Sequence, residues 1–436
     1  MYKNGVSYLG LQFMVLLSHI SLLAIVLCKG NYTSTASVWL LSVLILGSDL
    51  LYFCVLRLMK QATYTLDIVL VMLLNMSVIF QSCFGKVGFA YKHFLMAVGA
   101  FVCCQIGWLL TRNAEKAESR KFLYYAVFGG LVAAILLLTG KRGIWIDLGF
   151  TTIQPSEFVK PVFVLICATS LAAQQNKQKT LGIRLVRDNW CVYGCTVVIM
   201  GLQWWCRDLG SLPTFLAVAF CGLVCRICYP RAKLSKKLIL GICGLGALAA
   251  AIALKVAPAY VQERLNADIW KDQTGNGYQQ CKALIAIAEG GWFGKGPGQG
   301  TLHQVAAADT DIVFSTICEE WGLIMALLAV FAVVLVLCTT LMNTPRSYYH
   351  ACVANGVVAV FVVQMTLNIF GSCNLIPFTG VTIPFISQGG SSMLASGILV
   401  GFLKGTQSPV FVYNKPSKLI AGLSRERGGT GGKERA

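Results

Sequence analysis

The chain reads as an all-α polytopic membrane protein with twelve spans and both termini in the cytoplasm. Three observations predict this. Of its 436 residues, 56% are hydrophobic and only 12% are charged, and the mean hydropathy is +0.68. Apolar stretches of about 20 residues, the length that crosses a hydrocarbon core as a helix, recur along the chain. The basic residues gather on alternate connections, which is the positive-inside pattern.

The apolar stretches lie at about 9–28, 38–58, 66–85, 93–111, 122–139, 155–173, 189–206, 210–228, 237–257, 312–341, 350–371 and 382–404. The polar start MYKNG runs into the first of them without a small-residue cleavage site, so that helix is expected to be retained. With the N-terminus inside, the inner segments hold Arg57 and Lys60, then Arg112, Lys116, Arg120 and Lys121. Further on they hold Lys177, Lys179, Arg184 and Arg187, then Arg226, Arg231, Lys233, Lys236 and Lys237, then Arg346 and the basic tail. The net charge of +18 is then a matter of topology and of contact with membrane lipids bearing anionic heads. No soluble module pairs basic with aromatic residues, so nucleic acid is excluded as a partner.

Eighteen cysteines sit mostly within apolar stretches without regular spacing. They read as small buried hydrophobes rather than a disulfide framework. CGLVCRIC places Cys221, Cys225 and Cys228 at an iron–sulfur-like spacing, but on an apolar helix, where packing is the better account.

The unusual polar residues fall on the outer side. They lie in segment 140–160, in the turn 204–211, in a large extracytoplasmic loop at 258–311, and in NLIPFTGVTIPFISQGGSS. Concentrating Asp, Glu, Arg, Trp, Gly and Pro on one face places the work there. GKGPGQG (294–300) lacks the spacing of a phosphate-binding P-loop and reads as a turn.

Within these segments, Glu157 and Lys160 are three apart and share a helix face. A lysine one turn inside an apolar span needs an acidic partner, though an ion pair that merely orders the helix end is an equal reading. Pro155 suits the first helical turn. Asp208 stands at another outer junction, where an N-cap is the plain alternative. Asp311 opens the tenth span, and Glu319 and Glu320 lie about 12 Å deeper at 1.5 Å per residue. Carboxylates at that depth need a polar cavity or cationic partners. Glu157, Lys160, Asp208, Arg264, Asp311 and Glu320 are expected to converge on one outward-facing cavity. There a carboxylate could act as a general base and cations could hold a phosphate leaving group.

These segments resemble the SEDS family, the FtsW/RodA/SpoVE group. WIDLGFTTIQPSEFVK (145–160) resembles its W-I-x-L-G and Q-P-S-E-x-x-K signature, and RDLGS (207–211) its P-D-L-G-T/S turn. GYQQCKALIAIAEGGWFGKGPGQGT, DTDIVFSTICEEWGL and IPFTGVTIPFISQGGSSM resemble three further motifs in the family's order. The resemblance covers about 140–400, with weaker similarity back to about 65. Departures from the pattern are Ile144 where Arg usually stands, Lys282 for Gln, Glu289 for a small residue, Asp309 for His and Gln388 for Tyr.

The resemblance implies a ten-helix core. Residues 1–60 are then two extra N-terminal transmembrane helices, 61–405 the SEDS-like catalytic core, and 406–436 a disordered cytoplasmic tail. It further implies a peptidoglycan glycosyltransferase of the bacterial cytoplasmic membrane, polymerising lipid II into glycan strands and releasing undecaprenyl pyrophosphate. Asp311 matches the family's essential Asp and is expected to be the general base. Trp145, Glu157, Lys160, Asp208, Arg264, Lys282, Glu320, Gln388 and Ser391 are expected to support or line the cavity. A class B penicillin-binding transpeptidase is the expected partner. A divalent cation is compatible with the chemistry, but no ligand set is evident. The rival readings are a flippase for lipid-linked precursors and a non-catalytic scaffold that activates a transpeptidase.

Overall fold

The computed structural model describes residues 8–29, 35–58, 65–84, 87–138, 145–147, 152–172, 177–180, 183–208, 210–228, 262, 269–270, 277–342 and 345–407. The expected span at 237–257, Arg264 and the tail beyond Gln407 lie outside them.

The regular structure among the described residues is helical apart from two short antiparallel pairs and an isolated bridge between Pro345 and Gln407. In order, α1 is Tyr8–Lys29, α2 Thr35–Leu58, α3 Thr65–Gln81, α4 Val87–Thr111, α5 Ala114–Ser119 and α6 Lys121–Leu138. Then come β1 (Ile146–Asp147), β2 (Thr152–Ile153), α7 (Pro155–Ala172), β3 (Lys177–Thr180), β4 (Ile183–Val186), α8 (Arg187–Cys206) and α9 (Leu212–Cys228). The last four are α10 (Tyr278–Gly290), α11 (Val313–Met342), α12 (Tyr348–Ser372) and α13 (Gly390–Thr406). Six helices among the described residues are long and apolar enough to cross a membrane: those at 9–28, 37–58, 90–111, 121–138, 313–340 and 348–372. Shorter apolar helical segments are Thr65–Gln81 (α3), Trp190–Cys206 within α8 and Leu212–Cys225 within α9. The protein is a multi-pass membrane protein.

Three features depart from a plain series of apolar rods. The stretch at 382–404 becomes helical only at Gly390. Pro377 and Pro384 lack an N–H, and Gly380 and Phe385 have φ of 69° and 67°, so the chain before Gly390 cannot wind. Within the connecting segments, Ile146–Asp147 pairs with Thr152–Ile153 as β1–β2, and Lys177–Thr180 with Ile183–Val186 as β3–β4. And α11 is broken at Gly322, whose φ of 84° and ψ of 164° only glycine adopts without strain.

Helix α13 packs closely along α4. Gly397, Gly401 and Gly405 form a stripe on α13, and a Cβ at each would strike the Ala100 carbonyl, the Cys104 carbonyl and the Thr111 side chain of α4. In lipid no solvent pushes apolar helices together, so small residues that admit backbone contact hold them. Beside this seam lies a buried ion pair, Lys404 Nζ to Asp67 Oδ1 at 2.7 Å, which ties α13 to the start of α3. Gln105 of α4 donates to the same Asp67 oxygen at 3.1 Å. Helix α7 packs against α6, α9, α12 and α13. Helices α1 and α2 pack on each other and on α3.

Candidate active site

Four polar segments distant in sequence meet at one end of the helices. Pro155 starts α7, and its fixed φ and missing N–H suit that first position. Just before it, the Gln154 amide N–H donates to Ser391 Oγ at 3.4 Å, and its side chain donates to Asp208 Oδ2 at 3.5 Å. Ser211 Oγ donates to the same Asp208 oxygen at 2.9 Å. Gly210 lies so close to the carbonyl of Thr379 that a Cβ there would clash. The next residue, Gly380, faces Asp311, and an added Cβ would stand 3.2 Å from Asp311 Oδ2. The segments around 154–160, 207–211, 309–311 and 376–391 therefore form one continuous surface.

Glu157 and Lys160 pair one helical turn apart, Nζ to Oε1 at 2.6 Å. They are 7% and 2% exposed, so each is the other's means of being charged inside the protein. Their charges reach Asp208: burial pushes its carboxyl above the usual carboxylate range, while the Ser211 hydrogen bond and then Lys160 pull it down.

Asp311 sits on a turn whose carbonyls are individually held. The Asp309 carbonyl accepts from the Gln388 amide at 2.8 Å and from Gln81 Nε2 at 3.2 Å. The Thr310 carbonyl accepts from Ser387 Oγ at 2.6 Å. The Asp311 carbonyl accepts from Asn368 Nδ2 at 2.8 Å, and the same nitrogen bridges to the Val381 carbonyl at 2.7 Å. The turn thus has one placement, with its carboxylate toward Gly380. Burial pushes that carboxyl up to about 6; a hydrogen bond from Thr310 opposes this and the charge of Asp309 adds to it. Burial likewise raises Asp309. Among the described residues, no lysine or arginine pairs with Asp311, and no group of three or more His, Cys, Asp or Glu could hold a metal ion.

The other residues singled out in the sequence fall in several places. Ser391 is buried where Gln154 meets it. Gln388 uses its backbone to fix Asp309. Trp145 is 49% exposed at the edge of the β1–β2 pair, whose second strand touches α13. Lys282 lies exposed on α10 with its Nζ 5.9 Å over the Tyr278 ring, not at the Asp311 turn. Glu320 also points elsewhere. It is 1% exposed, and its Oε2 accepts the Gly298 amide at 3.0 Å. Expected in the cavity with Asp311, it instead holds the glycine-rich loop.

That loop repairs the break in α11. The Leu323 and Ile324 amides, freed at Gly322, donate to the carbonyls of Gly291 and Trp292 at 2.9 and 3.4 Å. The Glu319 and Glu320 carbonyls accept from the Lys295 and Gly296 amides at 2.8 and 2.9 Å. Glu319 receives the amides of Thr301 and Leu302, both at 2.9 Å, and Lys295 Nζ at 2.9 Å. Lys295 also pairs with Glu289. The acids at the mouth of this helix thus divide: Asp309 and Asp311 belong to the site, Glu319 and Glu320 to the scaffold beneath it.

Sequence reasoning missed Gln81, Gln154, Ser211, Asn368, Thr379 and Ser387. The available signal was a Gln or Asn inside an apolar run, since a buried amide must find partners.

The chain matches the family model for cell cycle proteins, FTSW_RODA_SPOVE, over residues 53–408. It is 30% identical over 275 residues to stage V sporulation protein E of Bacillus subtilis, covering 62% of this chain and 72% of that protein. It is 30% identical over 325 residues to a probable peptidoglycan glycosyltransferase FtsW of Pseudomonas fluorescens, covering 69% and 71%. To the peptidoglycan glycosyltransferase RodA of Mycobacterium tuberculosis it is 30% identical over 294 residues, covering 64% and 61%. Its fold is similar to a chain from a structure described as structural coordination of polymerization and crosslinking by a peptidoglycan synthase complex. That match has a TM-score of 0.61 at 19% identity and covers 78% of this chain and 96% of that one. The rod shape determining protein RodA of Thermus thermophilus gives 0.53 at 18% identity, covering 79% and 95%. The order of motifs, the meeting of their segments around Asp311 and the match over 53–408 agree: this chain belongs to the FtsW/RodA/SpoVE family.

Proposed function

We propose that the protein is a peptidoglycan glycosyltransferase that polymerises lipid II into glycan strands at the outer face of the cytoplasmic membrane, with Asp311 as general base. The acceptor sugar hydroxyl gives its proton to Asp311 and its oxygen attacks the anomeric carbon of the donor. A C–O bond forms, the bond to pyrophosphate breaks, and undecaprenyl pyrophosphate leaves with the electron pair. The observation that carries this reading is Asp311 itself. It is a partly buried carboxyl, pushed up to about 6, on a turn fixed at three successive carbonyls and unpaired with any described cation. A base with a pKa near the working pH is the efficient one.

Lys160 is buried against Glu157, so its role is to fix the start of α7 and the local field rather than to receive pyrophosphate. Of the two cations the sequence offered for the leaving group, Lys160 and Arg264, this favours Arg264. No step is routed through a divalent ion. The twelve-span topology with both termini inside puts Asp311 outside, where lipid-linked substrates are polymerised, and a class B penicillin-binding transpeptidase is the proposed partner. A broken helix such as α11 also occurs in transporters, where the freed backbone coordinates ions. Here the freed groups bind the protein's own glycine loop, which favours the enzyme over the flippase.

The test uses purified protein, alone and with its transpeptidase, supplied with lipid II. Wild type should make glycan strands and Asp311→Asn should not. Equal polymerisation by both would remove Asp311 as the base. Polymerisation by neither, with lipid crossing vesicles, would move the reading to transport; neither activity, with a stimulated transpeptidase, would move it to a scaffold.

A further inference from the structure

We propose that the α1–α2 hairpin is a positioning element for the reaction, acting through Asn75, Ser77 and Gln81 of α3 on the turn that carries Asp311. This rests on the assignment of that turn to catalysis.

The hairpin is joined to α3 by a closed polar cluster in otherwise apolar helices. Asp49 of α2 is fully buried. Its Oδ2 meets His19 Nδ1 of α1 at 2.7 Å, and its Oδ1 accepts from Asn75 Nδ2 of α3 at 2.8 Å. Asn75 also donates to Ser48 Oγ at 3.1 Å, and His19 Nε2 lies 3.3 Å from the Met72 carbonyl. A carboxyl buried in an apolar setting costs several kilocalories unless every oxygen is partnered. Here one oxygen is satisfied from α1 and the other from α3. Any slide of the hairpin along α3 strands Asp49, so the three helices share one register.

The same α3 grips the site on its other side. Two residues beyond Asn75, Ser77 Oγ donates to the Ile386 carbonyl at 3.2 Å. Ser77 Oγ also lies 2.7 Å from His93 Nε2 of α4. Gln81, six residues beyond Asn75 and about 9 Å along the helix, donates to the carbonyls of Ile386 at 3.1 Å and Asp309 at 3.2 Å. One face of α3 therefore reads the position of the hairpin, and the other sets the height of the Asp309–Asp311 turn against the segment that ends in Gln388. Ser387 and Asn368 hold the same turn at the Thr310 and Asp311 carbonyls. The turn is held from α3, from α12 and from the 386–388 segment, and the hairpin is joined to the first of these.

The experiment compares full-length wild type, Gln81→Leu, Asn75→Ala, the double variant and Asp311→Asn. It reads lipid II polymerisation and amide hydrogen exchange at 309–311 and 386–388. Misplacing a catalytic group by an ångström costs up to about a hundredfold in rate. Gln81→Leu is therefore expected to lower kcat at least about tenfold with KM within about twofold, and Asn75→Ala to lower kcat about three- to tenfold. Because both act through one strut, the double variant should be no slower than Gln81→Leu. Exchange at the two segments should rise in both single variants and stay at the wild-type level in Asp311→Asn.

Asn75→Ala with full kcat and unchanged exchange would overturn the proposal. So would losses that multiply in the double variant, or a loss of protection spread evenly over the chain, which marks a merely structural role. Asp311→Asn that still polymerises would refute the base assignment alone. The exchange data would then judge the positioning role independently of activity.

Discussion

The ammonium of Lys160 lies 2.6 Å from the carboxylate of Glu157, one turn apart on α7 and closed off from solvent on nearly every side. Its charges act on Asp208, which accepts from the Gln154 side chain, and the Gln154 amide in turn donates to Ser391. Removing one partner of a buried pair leaves an uncompensated charge, at about 3–5 kcal/mol, whereas removing both is far milder. Lys160→Met and Glu157→Gln are each expected to lower the melting temperature in detergent sharply, and the double variant to recover most of the loss. Additive losses would show that the pair is not coupled. The double variant, though folded, should polymerise poorly, because the start of α7 loses its anchor.

The raised carboxyl of Asp311 sets a pH signature. A general base works only when ionised. Its pKa is held at about 6 by burial, so kcat/KM should fall tenfold for each pH unit below about 6. An ordinary aspartate would keep its activity to near pH 4. Rates measured from pH 5 to 8 decide the matter, and a flat profile down to pH 5 would exclude Asp311.

The same shift has a cost in stability. A carboxyl whose folded pKa lies above its unfolded value destabilises the folded state when ionised. The penalty is absent below about pH 4, grows to about pH 6 and is constant above that. Asp311→Asn should therefore melt higher than wild type at pH 7.5, by about 1–2 kcal/mol after discounting for partial solvent access. The gap should close as the pH is lowered through 6 toward 4. A variant that melts lower at pH 7.5 would contradict this.

The glycine loop should depend on α11 as much as α11 depends on the loop. Gly322→Ala places a Cβ in a backbone region closed to alanine and against the Trp292 carbonyl. Glu319→Ala removes the acceptor of two amides and of Lys295, and hydrogen bonds to a charged group contribute about 1.5–3 kcal/mol each. Both variants are expected to expose 291–302 to proteolysis, with Glu319→Gln milder than Glu319→Ala. Unchanged cleavage in Glu319→Ala would show that the loop holds without it.

The α4–α13 seam should tolerate no added bulk. Gly401→Val sets a branched side chain against the Cys104 carbonyl and Gly107. Overpacking of this kind costs about 1–3 kcal/mol. Gly129→Val on α6, where a Cβ meets nothing, is the control and should melt like wild type. Equal melting of the two variants would show that the seam can open at little cost.

The sequence by itself determined the class of the molecule and the segments of its candidate site. Apolar length prescribes membrane helices because unsatisfied backbone groups cannot lie in lipid. The motif order marks the segments around 154–160, 207–211, 309–311 and 376–391, and helical spacing alone pairs Glu157 with Lys160. Tertiary structure decided which of the acids do what. Asp311 and Glu320 are nine residues apart on one strand of sequence, and nothing local separates their roles. The break at Gly322 brings the glycine loop under Glu319 and Glu320, while Asn368, Ser387 and Gln81 arrive from three other elements to fix Asp311. The tie of the two N-terminal helices to α3 was equally hidden, since His19, Asp49 and Asn75 are far apart in sequence. Hydropathy records how long an element is and which solvent it meets. It does not record which buried donor meets which acceptor, and those hydrogen bonds place Asp311.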